Sequence, residues 1–192
     1  MKEYISGMKA IASLLLFVAS LSYSVCGQST RLLYGSDFVY SLSAPYGWVF
    51  DTRSGKGLGL DAVFYPEGLT FKKSPIVIYV NVVYLNDSTQ KNWNDVHQGN
   101  ASDFNLRMPD SHIEIKDKVG TMVGGKYAHV AWFRNDKKKQ YEAVSYFEED
   151  GFVVQVVVGT KDPALFDQHY ADYIKLVASY VLVLPPVKFP GE

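Results

Sequence analysis

Apolar and polar positions alternate along much of the chain. After a polar link from Gln28 to Arg31, the alternation sets in at Phe38-Val39-Tyr40-Ser41-Leu42, and a period of two marks a half-buried strand. Pro45-Tyr46-Gly47 reads as a turn, and Trp48-Val49-Phe50 begins a second strand. Residues 51–61, DTRSGKGLGLD, form a loop with three glycines. Ala62 to Tyr65 is a short strand stopped by Pro66, and Glu67 to Ser74 is another loop. Residues 75–85, PIVIYVNVVYL, are the longest β-branched run and predict a central strand, with Pro75 tolerated because it stands at the start.

The middle is less periodic. Asp87 or Ser88 caps a helix running to about Phe104, with Trp93, Val96 and Phe104 on one face. Ile113, Ile115 and Val119 resume the strand pattern. Tyr127 to Phe133, Tyr141 to Phe147 and Phe152 to Gly159 follow, joined by Asn135-Asp136-Lys137 and Glu149-Asp150-Gly151; such short polar links predict an antiparallel meander. A terminal helix over Pro163–Val183 has Asp162 as N-cap and Pro163 at its first position, where the missing N–H costs nothing. Its stripe of Phe166, Tyr170, Tyr173, Ile174, Val177 and Val181 needs a sheet to cover, and Pro185 and Pro186 end the element. The pattern predicts an α+β fold: an antiparallel β-sheet of about six to eight strands covered by a middle helix and a long C-terminal helix.

The N-terminus breaks from this pattern. Lys2 and Lys9 precede a short apolar run from Ile11 to Ser20, and small residues follow in LSYSVCG, as in a secretory signal peptide over residues 1–27. Serines at 13, 20, 22 and 24 interrupt it, which disfavours a transmembrane anchor. Cleavage after Gly27, cleavage after Ser24 and lipidation of Cys26 remain open, although Val25 stands where a lipidated cysteine expects a small neighbour. The expectation is an exported protein, periplasmic or secreted, touching a membrane only if Cys26 carries a lipid. Residues 28–184 then form a single α+β domain, and 185–192 a mobile tail. Asn86-Asp87-Ser88 and Asn100-Ala101-Ser102 match the N-glycosylation pattern, which matters only in a eukaryotic source.

Composition narrows the function classes. The chain has 192 residues with 19 basic and 20 acidic side chains, so the net charge of -1 argues against a nucleic-acid binder. One cysteine excludes a disulfide framework and a Cys-based zinc site.

Five segments carry a resemblance. Pro45-Tyr46-Gly47-Trp48-Val49-Phe50-Asp51, Gly59 to Gly68 (GLDAVFYPEG) and Ser74-Pro75-Ile76-Val77-Ile78-Tyr79 resemble a group of small uncharacterised exported bacterial proteins, as do Tyr141 to Tyr146 and the helix ending Ser179-Tyr180-Val181. More remotely, the element order resembles the PsbP-like fold, an α/β/α sandwich. That fold includes photosystem accessory proteins, a Ran-GTPase-binding protein and bacterial envelope proteins. The resemblance implies a fold and no reaction.

Motifs for chemistry are sparse. His97, His112, His129 and His169 show no metal-ligand spacing, so no metal is expected. His129 reads as a hydrogen-bonded sheet residue, and the His169–Asp172 pair as a surface contact. No G-x-S-x-G occurs, and Gly55-Lys56-Gly57-Leu58-Gly59 lacks the rest of a phosphate loop, so neither a catalytic residue nor a cofactor is expected. Lys137-Lys138-Lys139 and Glu148-Glu149-Asp150 read as solvated turns. The many aromatics, 14 Tyr, 11 Phe and 3 Trp, mostly fill the core. The candidate binding site is the pair of loops flanking Ala62–Tyr65, with Trp48, Asp51, Arg53, Lys56, Tyr65 and Lys73. The expected function is a non-enzymatic binding or accessory protein of the bacterial envelope, its partner a protein or a small molecule. The alternatives are a hydrolase using Asp51 and Asp61 as acid and base, or a structural subunit of an envelope assembly.

Overall fold

The computed structural model describes residues 29–36, 38–86 and 88–185. The segment read as a signal peptide, Cys26 within it, Asp87 read as a helix cap, and residues 186–192 lie outside the described residues. The elements run β1 (Thr30–Tyr34), β2 (Val39–Ser43), β3 (Trp48–Asp51), β4 (Ala62–Pro66), β5 (Ile76–Tyr84), α1 (Trp93–Arg107), β6 (His112–Gly120), β7 (Tyr127–Asn135), β8 (Gln140–Glu149), β9 (Phe152–Thr160), α2 (Pro163–Ala178) and β10 (Val181–Leu184).

A seven-stranded sheet in the order β3-β4-β5-β9-β8-β7-β6 forms the middle layer, and every neighbouring pair is antiparallel. The β7–β8–β9 meander is present as read from its short polar links. Gly151 takes φ 85 at the β8–β9 turn, a conformation that favours glycine.

Each face has its own helix. On one, Phe64, Ile78, Ala143, Val156 and Val158 meet Phe166, Tyr173, Leu176 and Val177 of α2, all buried. Burying side chains of this size stabilises by roughly 1.5–3 kcal/mol each before entropy is subtracted. Tyr173 sits in this apolar layer because its hydroxyl donates to Val156 O at 3.0 Å and also bonds Ser145 Oγ. Asp162 caps α2 by accepting from Ala164 N at 2.9 Å. On the opposite face, Val96 and Phe104 of α1 pack on Ala131, Phe133, Val144, Val153 and Val157.

Three elements differ from the sequence reading. Residues 30–34 are a strand, β1, rather than the end of a polar link followed by unassigned chain; it pairs with β2 over its whole length. Only Leu33 of β1 is buried, so no alternation marks it. Helix α1 starts from Asn92, whose side chain accepts from Asn94 N and Asp95 N at 2.9 and 3.1 Å. Ser88 belongs instead to a turn organised by Asn86 Oδ1, which accepts from Ser88 N and Thr89 N. Helix α2 ends at Ala178, not Val183. Ser179 Oγ donates to Leu176 O at 2.6 Å, and β10 then pairs with β2 to complete a small sheet ordered β1-β2-β10. The apolar positions of Val181-Leu182-Val183-Leu184 fall in phase with the helical stripe, but a β-branched run has a ready alternative in a ladder. Tyr40 and Leu42 of β2 are fully buried in the α2 layer, so the small sheet extends that cover.

Candidate functional site

Strand register separates the residues that sequence places in one site. Trp48 pairs with Pro66 and is 5% exposed, with its ring edge-on to His169 at 5.3 Å. It is a core side chain of the α2 layer. Asp51 and Tyr65 fall on the other face, and Tyr65 Oη donates to Asp51 Oδ2 at 3.1 Å. Arg53 and Lys73 are exposed. Lys56 lines a groove of about 580 Å³ with Leu32, Tyr34, Leu60 and Asp61, between β1 and the 51–61 loop. The six do not converge on one surface.

The two aspartates of the hydrolase reading have separate structural partners. Asp51 accepts from Arg53 N, Ser54 N, Ser54 Oγ and Tyr65 Oη. Partial desolvation pushes its carboxyl up, but these hydrogen bonds outweigh it and hold the pKa down at about 2. Asp61 accepts from Tyr40 Oη at 3.0 Å, and burial raises its pKa despite that bond. Asp51 does not line the groove that Asp61 faces.

His129 stacks flat on Trp93 at 3.8 Å and 6°, a ring contact where sequence suggested a hydrogen bond. Asn100, in the second glycosylation pattern, is half-buried and donates from Nδ2 to Tyr146 Oη at 3.1 Å. Among the described residues, no three His, Cys, Asp or Glu side chains gather where they would hold a metal ion.

The site with unfilled chemistry lies between α1 and the sheet. A cavity of about 180 Å³ is lined by Tyr79 and Asn81 of β5, Glu142 and Val144 of β8, Gln155 and Val157 of β9, and Phe133 of β7. Its roof is Asn100, Asp103, Phe104 and Arg107. Spacings of three and four put those four on one face of α1. Asn81 and Gln155 of the floor pair with each other across the ladder, and Gln155 pairs in turn with Tyr146, on the same face beside the cavity.

These floor groups are expensive to bury. Gln155 is 4% exposed, and its Nε2 has no hydrogen-bond partner among the described residues. Asn81 Oδ1 is likewise buried and unpaired. An amide group left in this state costs about 1–3 kcal/mol. Glu142 accepts from Gln140 Nε2 at 2.7 Å, yet burial raises its pKa, outweighing that bond and the attraction of Arg107. Burial also raises the Tyr79 pKa, helped by the negative charge of Glu142. Arg107 is exposed at the last turn of α1 and donates from Nε to Asp103 O at 3.2 Å. His97 Nδ1 lies 3.4 Å from Tyr146 Oη and, with Asn100, ties the helix to the floor.

Sequence reasoning passed over this site, although a signal was present. Asn81 and Gln155 each interrupt a continuous apolar run, PIVIYVNVVYL and FVVQVVVGT. A polar residue inside a strand covered on both faces must meet a partner or a cavity.

No family model matches the chain, and no curated protein sequence matches it significantly. Among solved structures, the chain is similar to cyanobacterial PsbP (CyanoP) from Synechocystis sp. PCC 6803, with a TM-score of 0.53 and 16% identity over 83% of this chain and 95% of that one. It also resembles the Ran-binding protein Mog1p of Saccharomyces cerevisiae at a TM-score of 0.48 and 12% identity, over 82% of this chain and 96% of that one. The CyanoP likeness shows a PsbP-like fold, and at this identity it extends to the fold alone.

Proposed function

We propose that this chain is an exported, non-enzymatic binding protein that holds a small polar molecule in the cavity beneath α1. One observation carries the reading: Gln155 and Asn81 line that cavity, and their Nε2 and Oδ1 are buried without a hydrogen-bond partner among the described residues. A ligand that completes their hydrogen bonds recovers a desolvation cost already present in the fold. Pockets of this kind orient small molecules with a few convergent polar groups. The positively charged start and short apolar run at the N-terminus support export. The reading moves the site from the loops around β4 to the face under α1.

The test is thermal unfolding of the purified protein against a panel of small amino acids, hydroxy acids, amines and polyols. At least one member should raise the Tm of the wild type, and Gln155→Leu should abolish that rise. A panel without effect, or an equal rise in the variant, overturns the reading.

A further inference from the structure

The cavity has a charge layout as well as a hydrogen-bonding one. Arg107 stands at the exposed end, carried by the last turn of α1. Its Nε is engaged by Asp103 O, it attracts Glu142 through space, and its two terminal nitrogens make no hydrogen bond among the described residues, so they can donate to a planar anion. Glu142 stands on the floor, half-buried, with one oxygen bonded by Gln140. Opposite it on β9 is Gly159, where an added Cβ would lie 3.6 Å from Glu142 Cγ. The missing side chain leaves space beside the carboxylate. Asn81 Oδ1 adds a second acceptor on the floor, and Asp103 adds a carboxylate on the roof.

Acceptors and negative charge thus collect around the floor, with one cation at the rim. We infer that the cavity's ligand carries both an ammonium and a carboxylate, as a small free amino acid does, with Glu142 and Asn81 taking the ammonium and Arg107 the carboxylate. This rests on the reading of the cavity as a ligand site and assigns its ligand class.

Other classes fit less well. A simple carboxylate satisfies Arg107 but sets its charge near Asp103 and Glu142. A simple amine satisfies Glu142 but leaves the guanidinium without an anion. A polyol pairs the amides but neutralises neither charge. Volume sets the size, since about 180 Å³ holds on the order of six water volumes. That suits an amino acid with a short side chain. Gln155 Nε2 and the Tyr79 hydroxyl remain as donors for the side chain or for the second carboxylate oxygen.

The experiment is isothermal titration calorimetry on the purified protein with glycine, L-alanine and L-serine. The comparison probes are lactate, ethanolamine and glycerol. At least one amino acid should bind at least tenfold more tightly than lactate or ethanolamine. Arg107→Gln should weaken the amino acid at least tenfold and bring it level with ethanolamine. Glu142→Gln, close to isosteric, should weaken it and bring it level with lactate. Circular dichroism of both variants must match the wild type, and Lys56→Ala in the separate β1 groove should bind as the wild type does. If glycerol, lactate or ethanolamine binds as tightly as the amino acids and loses binding in Gln155→Leu, the zwitterion assignment is overturned and the cavity reading stands. If no probe binds, both fall.

Discussion

Replacing Gln155 with leucine should make the protein more stable. Gln155 is 4% exposed and pairs across the ladders with Asn81 and Tyr146. Its Nε2 is buried without a partner, and removing such a donor recovers about 1–3 kcal/mol. Leucine has similar bulk and places methyl groups near Val153 and Val157, which line the same face. The loss to subtract is small: Asn81 Oδ1 is already unpaired and gains no new deficit, while the fit of leucine over Tyr146 is imperfect. The net expectation is a gain of about 1–2 kcal/mol. At about 2–4 °C per kcal/mol for a domain of this size, Tm should rise by roughly 2–8 °C. Urea unfolding at constant m-value measures the free energy, and calorimetry the Tm. A loss of about 1 kcal/mol or more would refute the reasoning, because it would mean that the amide is satisfied through ordered water and that leucine strands that water. Stability gained with binding lost is the signature of a polar group kept for function.

Four further outcomes follow from the geometry. Burial lifts the Glu142 carboxyl above its usual 4.5, so the folded state holds its proton more tightly than the unfolded chain does. Stability should therefore fall as pH rises from about 4.5 through the folded value. Glu142→Gln should remove that slope and be the more stable protein at pH 7; parallel curves for the two proteins between pH 4 and 8 would contradict this. Asp51 has the opposite sign: with its pKa held at about 2, its contribution is present above 3.8 and is lost as pH falls through 2. Discounted for its partial exposure to solvent, Asp51→Ala should cost about 1 kcal/mol more at neutral pH than below pH 2, read by urea unfolding at both. Asp162→Ala removes the cap of α2 and should cost about 1 kcal/mol, most of which Asp162→Asn restores. Phe166→Ala opens the α2 layer where the ring is 1% exposed and should cost about 3–5 kcal/mol in denaturant unfolding, with a small loss pointing to a loosely packed helix.

Much of the architecture was legible because its elements bury one face and expose another, or bury both. The β5 run, the β7–β9 meander and the α2 stripe all announce themselves through periodicity. The misread ends share a cause. Strand β1 is mostly exposed, and β10 continues the helical phase of α2 into a ladder, so local pattern had nothing to distinguish. The site was less legible still. Loops rich in Asp, Arg, Lys and Trp look functional along the chain, but strand parity sends Trp48 to one face and Asp51 to the other. Conversely, Tyr79, Glu142 and Gln155 are far apart in sequence, and only the β5-β9-β8 order brings them side by side.

The two helices differ because the two faces they cover differ. Helix α2 carries an apolar stripe and meets an apolar floor. Helix α1, WNDVHQGNASDFNLR, has almost no such stripe: Val96 and Phe104 anchor it, and Asn100, Asp103 and Arg107 share the face that looks at Tyr79, Asn81, Glu142 and Gln155. Hydrophobic burial alone would not hold so polar a helix on a sheet, since most helical stability in proteins comes from packing an amphipathic face. What holds it is the Asn92 cap, the apolar anchors, the Trp93 ring stacked on His129, the Trp93 N–H donated to Glu148, and the bonds from His97 and Asn100 to the Tyr146 hydroxyl. Those bonds lie on the same floor as the unpaired amides, so a molecule that fills the cavity also bridges helix to sheet. Binding there should therefore protect the α1 amides from hydrogen exchange more than those of α2, whose attachment does not pass through the cavity. Equal protection of the two helices on adding an amino acid that binds would place the ligand elsewhere on the molecule.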